Sequence, residues 1–247
     1  MKHTVLHFLA FLLVLTACSS LLSLPLLTGA ALPQPDTVAY GAPGLTVVLD
    51  AGHGGEDGGA KSASGVLEKD INLAITLRLR DLLEANGISV VLTRSTDVLL
   101  YDRNVDYHGR KKALDLAARR KIAEETQNCI FVSIHMNAFP QTQYHGLQVW
   151  YSPNHTDSVI LAETVQELAQ SQLQPENDRR VKSATSSIYL LHHLTVPAIL
   201  VECGFLSNPQ EAEKLATSEY QDQLAFLLFL ALTDGMQKIS PDFSAEP

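Results

Sequence analysis

Three short runs constrain the fold of this chain more than any other feature: Val47-Val48-Leu49, Cys129-Ile130-Phe131-Val132-Ser133-Ile134 and Pro197-Ala198-Ile199-Leu200-Val201. Each is almost wholly apolar and lacks polar alternation, as in strands covered on both faces of a parallel sheet. Between the first two, Ile71, Leu73, Ala74, Leu77, Leu79, Leu82 and Leu83 form a broad helical stripe from Glu68 to Asn86, with Gly87 as its C-cap. Parallel neighbours need such crossovers, so the pattern predicts an α/β fold: a single layered domain with a mainly parallel twisted sheet flanked by helices.

The remaining elements follow the same logic. Ile88 to Thr93 reads as a strand, Arg94 to Lys112 as a polar extended connection, and Ala113 to Gln127 as a second helix. Gly146 to Tyr151 alternates and predicts a more exposed strand; Ser158 to Leu173 predicts a helix. Gln174 to Ser187 is polar and carries no assignable element. Helices from about Gln210 to Ala216 and from Tyr220 to Ile239 close the chain.

A chain of 247 residues that is 46% apolar can bury one full core. Its formal charge of -9 gives no basic footprint for a nucleic-acid backbone, so nucleic acid is not an expected partner. From Val5 to Leu32 the chain is nearly all apolar, after Lys2 and His3 and before the Pro-rich Leu32-Pro33-Gln34-Pro35. Residues 1–31 therefore read as a signal segment or membrane anchor, 32–44 as a linker, 45–240 as the main folded domain and 241–247 as a tail. Leu15-Thr16-Ala17-Cys18 resembles a lipoprotein processing site, while the small residues from Thr28 to Ala31 suit ordinary cleavage. Export across the cytoplasmic membrane is expected by either route, with membrane contact only through the N-terminal segment. Cys129 and Cys203 fall at opposite ends of their strands, which predicts two reduced packing thiols and no disulfide.

In a parallel α/β sheet the ligand site lies beyond the carboxyl ends of the strands. His53 follows the first run within Asp50-Ala51-Gly52-His53-Gly54-Gly55, His135 follows the second, Glu202 follows the third, and Glu68 opens the first helix. All four converge on one edge. Two imidazoles and one carboxylate are the ligand set of an open hydrolytic zinc site, in which water takes the remaining position; the second carboxylate is free to move that water's proton. Spacing alone leaves open which carboxylate is the ligand.

Leu49-Asp50-Ala51-Gly52-His53-Gly54-Gly55, Leu67-Glu68-Lys69-Asp70-Ile71-Asn72-Leu73, Ser133-Ile134-His135-Met136-Asn137-Ala138 and Val196 to Asn208 resemble the four signature blocks of the zinc-dependent N-acetylmuramoyl-L-alanine amidases. The resemblance spans Val47 to Asn208. It implies Zn2+ held by His53, Glu68 and His135, with Glu202 as catalytic acid/base, and hydrolysis of the amide joining N-acetylmuramic acid to L-alanine in peptidoglycan. Tyr107-His108-Gly109-Arg110-Lys111-Lys112 and Asp115-Leu116-Ala117-Ala118-Arg119 look similar to the single-domain spore-cortex amidases of spore-forming bacteria. No wall-binding repeat or regulatory helix over the zinc is expected, so targeting falls to the catalytic domain, the N-terminus or an activating or localising protein partner.

Other polar residues carry weaker expectations. Asp50 reads either as a partner orienting a ligand imidazole or as a turn cap, Asn72 and Asn137 as hydrogen-bonding groups within the blocks, and His192 and His193 as core-edge or cleft-facing histidines. His108, His145 and His155 lie in polar loops, and Glu56 and Asp57 read as solvated turn residues. Cys203 is not expected to be a nucleophile, because the histidines that would activate it are committed to metal. Two rival readings remain. A zinc carboxypeptidase on the stem peptide lacks an obvious arginine clamp outside the blocks, and a silent peptidoglycan-binding domain has no use for Glu202.

Overall fold

The structure, a computed structural model, describes residues 44–101 and 109–239. Among them six strands, β1 (Thr46–Ala51), β2 (Ser89–Leu92), β3 (Cys129–Asn137), β4 (Gln148–Tyr151), β5 (Lys182–Ser183) and β6 (Ala198–Phe205), form one sheet in the order β2-β1-β3-β6-β4-β5. β1 pairs in parallel with β2 and β3, and β3 with β6; β4 runs antiparallel to β6 and parallel to β5. The helices are α1 (Glu68–Ala85), α2 (Lys111–Glu125), α3 (Asp157–Gln172), α4 (Tyr189–His193), α5 (Pro209–Leu215) and α6 (Ser218–Ile239). The α/β fold with a mainly parallel sheet is as expected.

Strand alternation sorts the core into two layers. Val47 and Leu49 of β1, Ile130, Val132 and Ile134 of β3, and Ile199 and Val201 of β6 pack with α1, α3 and α6. Val48, Phe131, Ala198 and Leu200 pack on the opposite face with α2 and α4. Burial on both faces is why these runs show no polar alternation. β2 lies on one side of β1 and β3 on the other, so the chain reverses direction across the sheet between β1 and β3, and the crevice there is where such folds place ligands.

Three expectations change. β3 continues through His135 to Asn137 and β6 through Glu202 to Phe205, so both residues lie within strands rather than after them. β4, whose sequence alternates, is instead buried at Gln148 and Val149, where α3 packs against it, and only partly buried at Trp150 and Tyr151. The unassigned 174–187 segment contributes the two-residue edge strand β5, too short for any periodic pattern to reveal. Cys129 and Cys203 are buried free thiols on adjacent strands. The expected signal segment with Cys18, the linker except Gly44, His108 and the tail lie outside the described residues. No helix among those described is long and apolar enough to cross a membrane.

Candidate metal centre

β1 delivers Asp50 and Ala51 to the sheet edge, and the chain then turns through the glycine-rich loop. His53 sits at a φ of 60°, a left-handed conformation that a residue with a side chain adopts at a cost. Two buried arginines hold it there. Arg119 of α2 donates to the carbonyls of Ala51 and His53 at 2.8 and 2.7 Å, and Arg94 donates to those of Ala51 and Gly52 at 2.8 and 3.0 Å. Gly52 is obligatory for a spatial reason: a Cβ there would fall inside the His135 imidazole. At Gly59 a Cβ would come within 2.5 Å of a Glu68 carboxylate oxygen and 2.7 Å of the His53 ring.

Glu68, at the first turn of α1, brings its carboxylate between the two rings. Its Oε2 lies 3.2 Å from Nε2 of His53 and its Oε1 2.8 Å from Nδ1 of His135. The same carboxylate accepts from the backbone N–H of Ala60 at 2.7 Å and of Met136 at 3.0 Å. Burial alone would raise the Glu68 pKa, but hydrogen bonds and charge from His135 and His53 override it and hold the carboxyl well below the usual range. His53 is shifted the other way: burial would lower it, and Glu68 and Asp57 together raise it. Ligand atoms of His53, Glu68 and His135 lie within 4.8 Å of one another, and this group can hold a metal ion. A buried anionic carboxylate that converges with two imidazoles, whose rings meet edge to face at 5.0 Å, is a donor set suited to a borderline divalent cation.

Glu202 is the register partner of His135 across β3 and β6, and both side chains point to the α2 and α4 face. Its Oε2 is buried without a hydrogen-bond partner. Burial pushes its pKa up to about 7; the charge of Glu68 adds to this and that of His135 and His53 opposes it. His53, His135 and Glu202 line one cleft of about 220 Å³, with Lys112 and Leu116 from the α2 side and Tyr189 from α4.

Residues 47–234 match the family described as N-acetylmuramoyl-L-alanine amidase. The chain belongs to that family. The germination-specific N-acetylmuramoyl-L-alanine amidase of Bacillus subtilis (strain 168) is 37% identical over 186 residues, covering 75% of this chain and 77% of the relative. The CwlD amidase from Clostridioides difficile, solved in complex with the GerS lipoprotein, is 40% identical with a TM-score of 0.74, covering 78% of this chain and 98% of that one. The amidase AmiC2 of Nostoc punctiforme is 33% identical with a TM-score of 0.64, covering 81% of this chain and 99% of its own.

In this amidase several residues take roles other than those expected. Asp57 is not a solvated turn residue: its Oδ2 lies 2.9 Å from Nδ1 of His53, leaving Nε2 turned toward Glu68. Glu56 does stay at the surface, where Lys111 and the Tyr101 hydroxyl bond its carboxylate. Asp50 neither orients an imidazole nor caps a turn. Wholly buried, it pairs with Arg119 at 2.6 Å and accepts from Ser133 and Thr93 at 2.6 and 2.7 Å. Arg119 also binds Asp115, at 2.8 Å. Sequence reasoning missed Arg94 and Arg119 as supports. They lie in stretches read only as a polar connection and as a second helix, where nothing local marks an arginine as buried.

Asn72 spans the site from behind, donating to the Gly52 carbonyl at 3.1 Å and to Glu68 at 3.3 Å. The carbonyl of Asn137 receives Leu206 N–H where β3 bulges against β6. His192 is exposed at the end of α4, while His193 donates to the Tyr189 carbonyl and stacks on its ring at 4.2 Å. His145 is exposed, and His155 caps α3 by accepting from Asp157 N–H at 3.2 Å. Burial pushes the Cys203 thiol up, away from the reactive thiolate.

Proposed function

We propose that this amidase hydrolyses the bond between the lactyl group of N-acetylmuramic acid and L-alanine in peptidoglycan, with Zn2+ held by His53, Glu68 and His135 and with Glu202 moving the proton. One observation carries the assignment of roles. Glu68 spends its carboxylate on both imidazoles, whereas the buried Oε2 of Glu202 beside them has no partner. A ligand must be held rigidly by its neighbours, and a proton shuttle must keep an oxygen free. Zinc bound there supplies Lewis acidity, polarising the amide carbonyl and making water acidic enough to attack near neutral pH.

The chain's own residues do the rest. Asp57 fixes the His53 tautomer, and Arg119 and Arg94 hold the loop carbonyls so that the ring cannot swing away. Leu116, Ile188 and Leu190 give the cleft an apolar wall. Glu202, with its buried Oε2 free of any partner, accepts the proton of the attacking water and delivers it to the departing L-alanine nitrogen.

The activity resides in residues 45–240, and the segment 1–31 directs export to the envelope or spore-cortex side. The germination-specific relative supports that location. The lipoprotein bound to the Clostridioides difficile neighbour supports a protein partner of the same kind. Digesting defined muropeptides with and without zinc, followed by mass analysis, tests the reaction: new free amino groups on L-alanine are expected, and new termini elsewhere in the stem would discard it.

A further inference from the structure

A second cleft, of about 530 Å³, opens on the other side of Glu202 and shares Glu202, Ser187 and Ile188 with the first. Its far wall is built from Arg179, Lys182, Trp150, Tyr144 and Phe205. The guanidinium of Arg179 lies over the Phe205 ring at 4.5 Å, and its Nε donates to the His145 carbonyl at 2.7 Å. Lys182 of β5, in register with Trp150 of β4, places its ammonium 5.3 Å from the Trp150 ring centre. Aromatic faces thus hold both cations in place while leaving their outer N–H groups available. Among the described residues neither cation is ion-paired, and Glu202 is the one carboxylate lining the cleft. The first cleft is balanced differently: Lys112 and Arg119 face Asp50, Asp57 and Asp115. In a chain of net charge -9, three of its 18 basic residues fall at Arg179, Arg180 and Lys182.

We propose that Arg179 and Lys182 form an anion subsite that binds the free α-carboxylate of the second stem-peptide residue, seating the peptide in this cleft and the muramoyl sugar in the Lys112, Leu116 and Tyr189 cleft. The subsite rests on the amidase reading above. Glu202 stands at the scissile amide between the clefts, and the two products must leave toward opposite sides. The sugar side of the substrate is uncharged, whereas the peptide side carries carboxylates. The α-carboxylate beyond L-alanine is the first of these, within about 7 Å of the scissile bond. Two cations on one wall match it, with Arg supplying a planar fork.

The test uses two muropeptides that differ only at that carboxylate, free or converted to a primary amide. The wild-type chain, loaded with zinc, is expected to prefer the free acid by about tenfold in kcat/KM, carried by KM, in keeping with a charge-assisted bond at a partly exposed site. Arg179→Met with Lys182→Met is expected to bring the ratio to about one, and Arg179→Lys to retain much of it. The preference should also weaken in higher salt, a readout independent of any variant. Equal use of both substrates by the wild-type chain, or a preference that survives the double substitution, overturns the subsite. Failure of the wild-type chain to free L-alanine amino groups from either substrate would instead remove the amidase reading on which it rests.

Discussion

His135 and Glu202 face each other across the register of two adjacent parallel strands, β3 and β6, one imidazole and one buried carboxylate with an unbonded oxygen. Their proximity is fixed by backbone pairing and does not depend on loop conformation. Glu202→Gln should therefore keep the cleft's shape and about one zinc per chain while lowering hydrolysis by about 10²- to 10⁴-fold, the range for removing a general acid/base. Metal analysis beside a muropeptide assay checks both halves. Zinc lost together with activity would make Glu202 a ligand.

Glu68 is expected to show the opposite pattern. Its carboxylate accepts from Ala60, Met136 and Asn72 as well as facing both imidazoles. Glu68→Ala should release zinc in dialysis against a weak chelator, and activity should return only in large excess of the metal. A variant that holds zinc as tightly as the wild-type chain contradicts the assignment.

Asp57 acts one step removed, through Nδ1 of His53. Replacing such a partner weakens metal affinity or activity by about 10- to 100-fold. Competition with a zinc-binding dye should show Asp57→Ala within that range at unchanged circular dichroism, and an unchanged affinity would return Asp57 to a plain turn residue.

The Asp50–Arg119 pair sits in the core beneath the site, with side chains 1% and 2% exposed. Removing one member strands the other, so Arg119→Met should cost about 3–5 kcal/mol in urea unfolding. Burial raises the Asp50 pKa, but Arg119, Ser133 and Thr93 outweigh it and hold the carboxyl below its ordinary value of 3.8. A carboxylate depressed in the folded state contributes stability above its unfolded pKa and loses it as the pH falls through the folded one. The wild-type urea midpoint should thus drop as pH falls below about 3.8, and this part of the slope should be absent in Asp50→Asn.

Gly52 and Gly87 give a matched test of space against backbone. An alanine Cβ at Gly52 collides with the His135 ring, whereas at Gly87, with a φ of 77°, it meets nothing within 4 Å. Gly87→Ala should cost about 1–2 kcal/mol of stability for its left-handed conformation and leave zinc binding alone. Gly52→Ala should displace His135 and lose zinc; equal zinc affinity in the two variants would contradict the close approach.

The sequence by itself determined the mainly parallel sheet and the sorting of His53, Glu68, His135 and Glu202 to one edge. Unbroken apolar strands demand cover on both faces, and helical crossovers force all strand ends to the same side. It also placed α1 to within a residue at its C-terminal end, because the apolar stripe and Gly87 are local signals. What only the tertiary structure decided are contacts between residues far apart in the chain. Arg119 reaches Asp50 and His53 from 69 and 66 positions away, and no local pattern marks a helical arginine as buried. β5 escaped notice because a two-residue edge strand has no period, and with it went Arg179 and Lys182 on the cleft wall. Asp57 looked solvated because glycine loops are polar on average, yet the turn at Gly54 and Gly55 folds it back onto His53. Periodicity reports which face a residue occupies, whereas the partner it meets there depends on how the layers close.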